Sequence, residues 1–540
     1  RLGEKASMMR LWEKPHYFGL DRAPFIAAAG WEKTRDLARS LSWVEAADLK
    51  DAARRAADPK GWAVCALGPD TPEDRGALAA AGATPGAKKQ DLRVAPASQA
   101  LVEKWKGPRA PEGAVSAPGV SRPQRLVTAR ATLENGLTVI VNSTDDSRVF
   151  AAHVLIRNRS AAEPADKTGI VEILHHLAGA GTVAHPGASL DSVLRAIGGS
   201  LKVADDPAIP YDDIYLSPEY SYVRLEALDE FAPPALELLR EILFEPNFDD
   251  AGALESAKEQ VLSRARQSRK SARDRSRILL AQGLWGAGHP FASPFAGSEQ
   301  TVDSITLEDL KRFHTVYFSP RNIILGIGTS LRPEQMLQLL EARLGRWPKP
   351  PGKPAAPPAE APGPMGAGGE PGPVFETMKT PQAAILLGRL VAPDMAPSPV
   401  VSALAAVLSR RMGDTLREKR GLAYSLGADA SPLGGRTQFI ASMGVLPERV
   451  EEARRGLREV LASLVTSPPT QQEIDDAVRA TSVRSLMRGL SRINRAWQRC
   501  LEEQRRERSP SLAAPAMPVT AVPAAQVAAA AARLMVDGAS

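Results

Sequence analysis

Two stretches of this chain are composed so that they cannot join a packed core, and they limit how everything between them can fold. The first runs from about Lys88 to Pro123 and is rich in Pro, Ala and Gly. The second, Trp347 to Pro373, is denser: Lys349-Pro350-Pro351-Gly352-Lys353-Pro354, then Pro357-Pro358, then glycines from Gly366 to Gly372. Such segments bury too little apolar surface to offset the entropy of ordering, so they read as linkers. They divide the 540 residues into blocks 1–90, 124–347 and 374–540, with linkers at 91–123 and 348–373. At ~150 residues per domain, a chain of this length holds three or four units.

Composition excludes several function classes. Hydrophobic residues make up 44% and charged residues 24%, ordinary proportions for a globular chain. The net charge of +6 comes without a block of like charge, since acidic and basic residues interleave, as from Glu451 to Arg458. No basic stripe with stacking aromatics is present, so a nucleic-acid partner is not expected. No apolar run reaches the ~20 residues that span a bilayer, so no membrane span is expected. Cys65 and Cys500 lie too far apart for a CxxC pair or a disulfide framework, and Cys65 reads as a core residue in an apolar strand. The start, Arg1-Leu2-Gly3-Glu4, is neither a signal peptide nor an initiator methionine, so the chain reads as a processed product or a fragment.

The middle block opens on a hairpin: Arg130 to Leu133, the turn Glu134-Asn135-Gly136, and Leu137 to Val141. Further strands are expected at 149–156, 221–225 and 323–327. Helices are expected at 168–178, 190–197, 227–243, 249–267, 306–316 and 333–344. The last block repeats the plan. Strands at 383–387, 423–428 and 438–444 alternate with helices at 398–419, 448–464 and 471–488. The first block ends in a helix, from Val44 to Ala57, and a strand, from Trp62 to Gly68. A sheet with long helices on one side is an α+β architecture.

The stretch that carries chemistry is Gly169-Ile170-Val171-Glu172-Ile173-Leu174-His175-His176-Leu177, ending at Gly181-Thr182. At about 100° per residue, Ile170, Ile173, Leu174 and Leu177 form one stripe, and Glu172, His175 and His176 cluster opposite. Glu172 and His176 stand one turn apart, the spacing two ligands need to reach one metal ion.

This stretch resembles the insulinase/pitrilysin family, whose hallmark is a helix bearing HxxEH, the inverzincin motif. Gly169 and Gly181-Thr182 match its flanks in register. The motif itself departs. Glu172 stands where the family has its first zinc-binding histidine, and His175 stands where it has the catalytic glutamate. Only His176 keeps the family's second histidine ligand. The third ligand, a glutamate on a later helix, falls at Arg264, which cannot donate a lone pair. Glu255 and Glu259 lie nearby on that helix.

The resemblance covers nearly everything outside the linkers. Gly198-Gly199-Ser200-Leu201 resembles a family strand turn, with Lys202 where an asparagine is usual and an insertion over 205–213. Gly288-His289-Pro290-Phe291, the run from Ser304 to His314, and Tyr317-Phe318-Ser319-Pro320-Arg321-Asn322 match closely. Leu416-Arg417-Glu418-Lys419-Arg420-Gly421-Leu422-Ala423-Tyr424-Ser425 resembles the signature of the C-terminal half. The resemblance implies that Arg417 and Tyr424 face the site across a chamber and hold substrate. Tyr17 to Asp21 and the Val44–Ala57 helix resemble the closing part of another C-terminal half. The implied fold is α+β, a set of clamshell half-domains, each a mainly antiparallel sheet covered by helices: two complete halves and the end of a third.

The expectation is a non-catalytic clamshell that holds peptide or unfolded polypeptide. It would partner an active clamshell placed upstream or in another subunit. Zinc needs three protein donors and an activated water, so no cofactor is expected. Two other readings stand beside it. One is an active zinc endopeptidase using Glu172 and His176, with Asp205, Asp206, Asp212 or Asp213 as third ligand and His175 as base. The other is a purely structural subunit. His289 and His314 read as structural. An exported location rests on family analogy alone.

Overall fold

Glycines placed inside strands decide how this chain packs. The computed structural model describes residues 2–36, 44–56, 126–159, 162–205, 215, 217–347, 374–392, 394–508 and 522–536. The chain divides into two units, Gly3–Arg122 and Pro123–Ser540. In the first, helices cover Leu2–Trp12 (α1), Pro15–Ala29 (α2), Trp31–Arg35 (α3) and Ala46–Ala56 (α4). Phe18 meets Trp12 and Trp31 edge-on at centroid distances of 5.9 and 6.0 Å. The expected strand at Trp62–Gly68, with Cys65, lies outside the described residues.

The second unit carries two sheets. Six strands form the first: Val127–Thr132 (β1), Thr138–Ser143 (β2), Val149–Ile156 (β3), Ser200–Lys202 (β4), Ser221–Leu228 (β5) and Ile323–Thr329 (β6), ordered β1-β2-β6-β3-β5-β4. Every pairing is antiparallel except β2 with β6. The β1–β2 hairpin turns at Gly136, whose φ of 91° suits glycine. Three antiparallel strands form the second sheet: Ala383–Val391 (β7), Ala423–Leu433 (β8) and Arg436–Val445 (β9), with β9 in the middle. The fold is the expected α+β arrangement of sheets covered by helices.

One large core lies between the first sheet and the helices Ile170–Ala180 (α5), Ala188–Ala196 (α6), Ala232–Phe244 (α7), Ala251–Lys270 (α8), Glu299–Ser304 (α10), Leu307–Tyr317 (α11) and Pro333–Leu344 (α12). A second core lies under the second sheet, against Ser398–Met412 (α13), Val450–Thr466 (α14), Gln471–Arg488 (α15) and Ala524–Val536 (α17).

Three expectations need correcting. The helix expected from Ala227 starts later, because Ala227 and Leu228 still pair with Phe150 and Val149 in the sheet. Pro233 and Pro234 then occupy the first helical turn, where a missing N–H costs nothing. The helix expected over Ser398–Lys419 is α-helical only to Met412, and Gly413–Lys419 widens into a π-helix. Helices also cover both faces of the first sheet, not one.

The second face is covered by Arg492–Arg508 (α16), which follows the second sheet in sequence but packs on β6, β3 and β2 of the first. Gly326 and Gly328 on β6 permit this. A Cβ on Gly326 would stand 2.4 Å from the Ala496 carbonyl oxygen, and one on Gly328 would stand 2.8 Å from Arg492 Cβ. The exchange is reciprocal. Ala272–Trp285 (α9) belongs to the first half in sequence and packs on β7 of the second sheet, where Gly388 faces Leu280 and Leu284.

Arg492 anchors α16. Its side chain is fully buried and donates to Asp229 Oδ2 at 2.8 Å, Val149 O at 2.6 Å, Ser147 O at 2.7 Å and the Thr144 carbonyl. Removing one partner of such a network strands buried charge, so Arg492→Ala should cost about 3–5 kcal/mol. Gly326→Val should also loosen α16, by wedging it from the sheet. Urea unfolding and hydrogen exchange across 492–508 measure both; wild-type values for the pair would mean that other contacts hold the helix.

Candidate functional site

The helix that carries the altered motif, α5, begins after Gly169, whose φ is 97°. A Cβ there would meet the Ala296 carbonyl oxygen at 3.0 Å, so only glycine fits the entry. Ile170, Ile173, Leu174 and Leu177 are buried, as the stripe requires. Glu172 and His175 are buried as well, and only His176 on that side reaches partial exposure. The polar side of α5 therefore faces protein, and its groups need partners there.

Glu172 has a partner that sequence reading missed. Arg159, three residues beyond β3, donates from Nη2 to Glu172 Oε1 at 2.5 Å, with 5% and 3% of the two side chains exposed. The Arg159 guanidinium lies 5.0 Å over the Phe295 ring. Burial alone would push the Glu172 carboxyl up. The charges of Arg159 and Arg264, the bond from Arg159 and His176 outweigh it and hold it at about 2. Glu163 also joins this cluster and accepts from the Val171 amide at 3.1 Å. Burial pushes its carboxyl up to about 7 against the pull of Arg159.

His175 is not placed to act as a base. Its Nε2 lies 2.8 Å from Ser221 Oγ, and Ser221 donates its own proton to Asn158 Oδ1 at 2.6 Å. That contact engages Nε2 in either ring tautomer. Burial, followed by the Arg159 charge, lowers the ring's pKa to about 3. His176 is also held below the ordinary range, by burial, with Arg264 adding to the effect.

Arg264, on α8, donates to the Asp205 carbonyl. The Asp205 carboxylate is fully engaged: Oδ1 takes Tyr222 Oη at 2.6 Å and Lys202 Nζ at 3.1 Å, and Oδ2 takes the Tyr215 amide at 2.9 Å. It is not free to complete a metal site. Asp206, Asp212 and Asp213 lie outside the described residues. Glu255 and Glu259 are exposed, and Glu259 pairs with Arg266 at 3.2 Å. Among the described residues, no group of three or more His, Cys, Asp or Glu side chains could hold a metal ion. A zinc ion does not fit these donors: the Glu172 carboxylate is bound to the Arg159 guanidinium, and the charge of a second guanidinium, Arg264, also acts on it.

In the second half, backbone irregularity presents the two remaining candidates. Arg417 lies in the π-helix, with half its side chain exposed and Nε donating to Glu418 at 2.9 Å. The chain returns through Gly421 (φ 57°), with the Leu422 amide donating to Leu416 O at 2.8 Å. Ala423 pairs with Val445 and Ser425 with Gly444, so Tyr424 is the extra residue of a β-bulge. Tyr424 is 94% exposed, which rules out the packing role common for tyrosine. Two other histidines bond to the backbone. His289 Nδ1 accepts from the Phe291 amide at 3.1 Å, and His314 Nε2 bonds Leu243 O at 2.8 Å.

Arg159, Glu163 and Ser221 are the site residues that sequence reading missed. A signal existed: Arg157-Asn158-Arg159 follows a strand of eight buried residues, where charge requires a buried counter-charge.

Residues 138–285 match the family described as Insulinase (Peptidase family M16), and residues 304–481 match the Peptidase M16 inactive domain. The uncharacterized zinc protease YmxG of Bacillus subtilis is 24% identical over 381 residues, 68% of this chain and 86% of that protein. The non-peptidase homolog YmxG of Helicobacter pylori is 27% identical over 280 residues, 48% of this chain and 60% of that protein. Among solved structures, a peptidase M16 inactive domain from Pseudomonas fluorescens gives a TM-score of 0.56 at 18% identity, covering 75% of this chain and 94% of that one. A protease from Helicobacter pylori gives 0.61 at 17%, covering 76% and 96%. Identities this low show the shared fold alone. No helix among the described residues is long and apolar enough to cross a membrane.

The buried carboxyls set a pH response. Glu172 is held low, so its contribution is present above about pH 4.5 and fades as pH falls toward 2. Glu163 is held high, so it costs stability as pH rises from about 4.5 through 7. His175 and His314, held neutral by burial at about 3 and 4, add stability as pH rises to 6.5, so stability should climb to about pH 6.5, and Glu163→Gln should steepen the climb above pH 4.5 while leaving the acid limb. Urea midpoints across pH test this; an unchanged slope in Glu163→Gln would sink it. With residues 138–285 and 304–481 matched by the two domain models, the chain belongs to the insulinase family, M16.

Proposed function

We propose that this clamshell pair holds peptide or unfolded polypeptide without cutting it, as the scaffold partner of an active clamshell. The observation that carries the reading is the buried Arg159–Glu172 pair. Glu172 cannot bind a metal without giving up Arg159, which would leave an unpaired buried guanidinium. His175, with Nε2 engaged by Ser221 and its pKa lowered to about 3 by burial, is a poor proton acceptor at neutral pH. No cofactor is part of this proposal.

The holding role is supported by the second half. Tyr424 stands out of its bulge and Arg417 is half-exposed beside it. An exposed aromatic and a guanidinium give a peptide one apolar face and one hydrogen-bond donor to settle on. On this reading, residues 124–347 act as the N-terminal-type half and residues 374–540 as the C-terminal-type half. The first unit, with its helices from α1 to α4, would be the end of a preceding half.

Elemental analysis, a quenched-peptide assay and fluorescence anisotropy with an unfolded peptide test the proposal together. The expected results are substoichiometric zinc, no chelator-sensitive cleavage, and binding weakened about tenfold in Arg417→Ala and in Tyr424→Ala. Stoichiometric zinc with chelator-sensitive cleavage would overturn it in favour of an active ExxHH site. Absence of any peptide binding would leave a purely structural subunit.

A further inference from the structure

The first sheet ends in β4 on one side and in β1 on the other, and β1 is left open. β4 is three residues long, while β1 runs for six in unbroken register with β2. At the hairpin the Leu133 amide donates to Leu137 O, and hydrogen-bonded pairs then alternate back along the strand. The residues between those pairs, Thr128, Arg130 and Thr132, turn their N–H and C=O groups away from β2. Among the described residues these outward groups meet no partner. Proteins guard such an edge with a proline, a bulge or an outward charge. β1 has no proline and no bulge, and its one charged residue, Arg130, is drawn onto α16 by Glu503 at 2.8 Å.

Beside the N-terminal end of β1 lies a pocket of about 220 Å³, lined by Leu126, Asn142, Leu486, Gln498 and Arg499. Small-molecule sites begin at roughly 300 Å³, so this one suits a single side chain. Its two leucines are open to solvent, Leu486 at 72% and Leu126 at 41%. At about 100° per residue, Val483, Leu486 and Met487 form one exposed stripe of α15, opposite the side that buries Ile474, Ala477 and Val478. A helix that is apolar on two opposite sides has a second surface to cover. The polar rim is unspent: among the described residues Gln498 makes no hydrogen bond, and Arg488, next to the pocket, has no carboxylate partner.

We infer that β1 takes up an extended segment of the held polypeptide as a seventh strand. One apolar side chain of that segment enters the pocket between Leu126 and Leu486, and an acidic neighbour lies against Arg488 and Arg499. Strand addition satisfies the outward N–H and C=O groups without demanding a particular sequence, as a holder of unfolded chains requires, and the pocket adds a preference. A second copy of this chain paired antiparallel fits less well. Beyond Val127, β1 offers only threonine, alanine and Arg130, none of which fills an apolar socket. The inference deepens the holding reading and rests on it.

The test uses the full chain and a fluorescent peptide of alternating valine and threonine with one leucine followed by glutamate, read by anisotropy and hydrogen exchange. Two further versions carry N-methyl groups on alternate backbone nitrogens, one set for each edge of the strand. Amides 128, 130 and 132 should exchange fast in the free chain and slowly in the complex. One methylated peptide should bind about tenfold more weakly and the other like the parent, because only one edge meets β1. Thr128→Pro removes an outward N–H and spares the β2 ladder, so it should also cost about tenfold. Thr128→Val, which loses the bond to Asn142 but keeps the amide, should bind normally. Leu486→Gln should weaken the leucine peptide and leave one with alanine in its place unaffected. Slow exchange at 128, 130 and 132 in the free chain would overturn the inference, since this chain or a copy of it would then cover the edge. Undiminished binding of both methylated peptides, or of the parent to Thr128→Pro, would overturn it too. In any of these cases, binding that still falls in Arg417→Ala and Tyr424→Ala would keep the holding role. Strand addition at β1 with normal binding in those two variants would keep this site and end their part in holding. No peptide binding at all would end both.

Discussion

A guanidinium with no access to water joins the two halves of this protein. Arg492 reaches into the first sheet from a helix that follows the second, and there it meets Asp229 and the carbonyls of residues 144, 147 and 149. A buried charge of this kind adds little net stability compared with a well-packed apolar group, but it tolerates no alternative register. Asp229 is itself tied to Thr329 Oγ1 at 2.7 Å and to the Ser330 amide at 3.1 Å. The network therefore pins the end of β6, the start of α7 and the head of α16 at one point. The glycines of β6 set how close the helix comes, and Arg492 sets where along the strand it stops.

The same electrostatic rule explains the motif helix. An ionised carboxylate on the buried side of α5 must meet a cation. Here the cation is Arg159, and the neighbouring changes are consistent with it. His175 is bonded to Ser221, and Arg264 adds positive charge that acts on Glu172. Arg159, Glu172 and Arg264 act on one another electrostatically, so changing one of them disturbs the others.

Much of the fold was legible because its patterns end on strong punctuation. The strand 149–156 and the helices 333–344 and 471–488 match their expected limits. Pro333 marks one start, and Asn135-Gly136 marks the hairpin. The exchanged helices were not legible. The buried side of α16 carries Arg492, Asn494, Glu503 and Gln504 among its apolar residues, which blurs the helical period. Gly326 and Gly388 were the available clue, since a glycine inside a strand marks close approach of another backbone or side chain. At the site, the positions of Glu172, His175 and His176 could be read from the motif register. Their partners could not, because Arg159 and Ser221 reach them from the ends of other strands. The bulge at Tyr424 depends on a pairing shift that a single strand's sequence does not encode.

The reciprocal exchange of α9 and α16 has an architectural consequence. Each half is completed by an element borrowed from the other, so the peptide bond between them is not what keeps them together. Two separately translated fragments, divided between Trp347 and Val374, would reassemble into the same particle by trading helices. A gene encoding such a clasp can be split or fused at that point with little structural penalty, whereas a half expressed alone would expose one bare sheet face and one homeless helix.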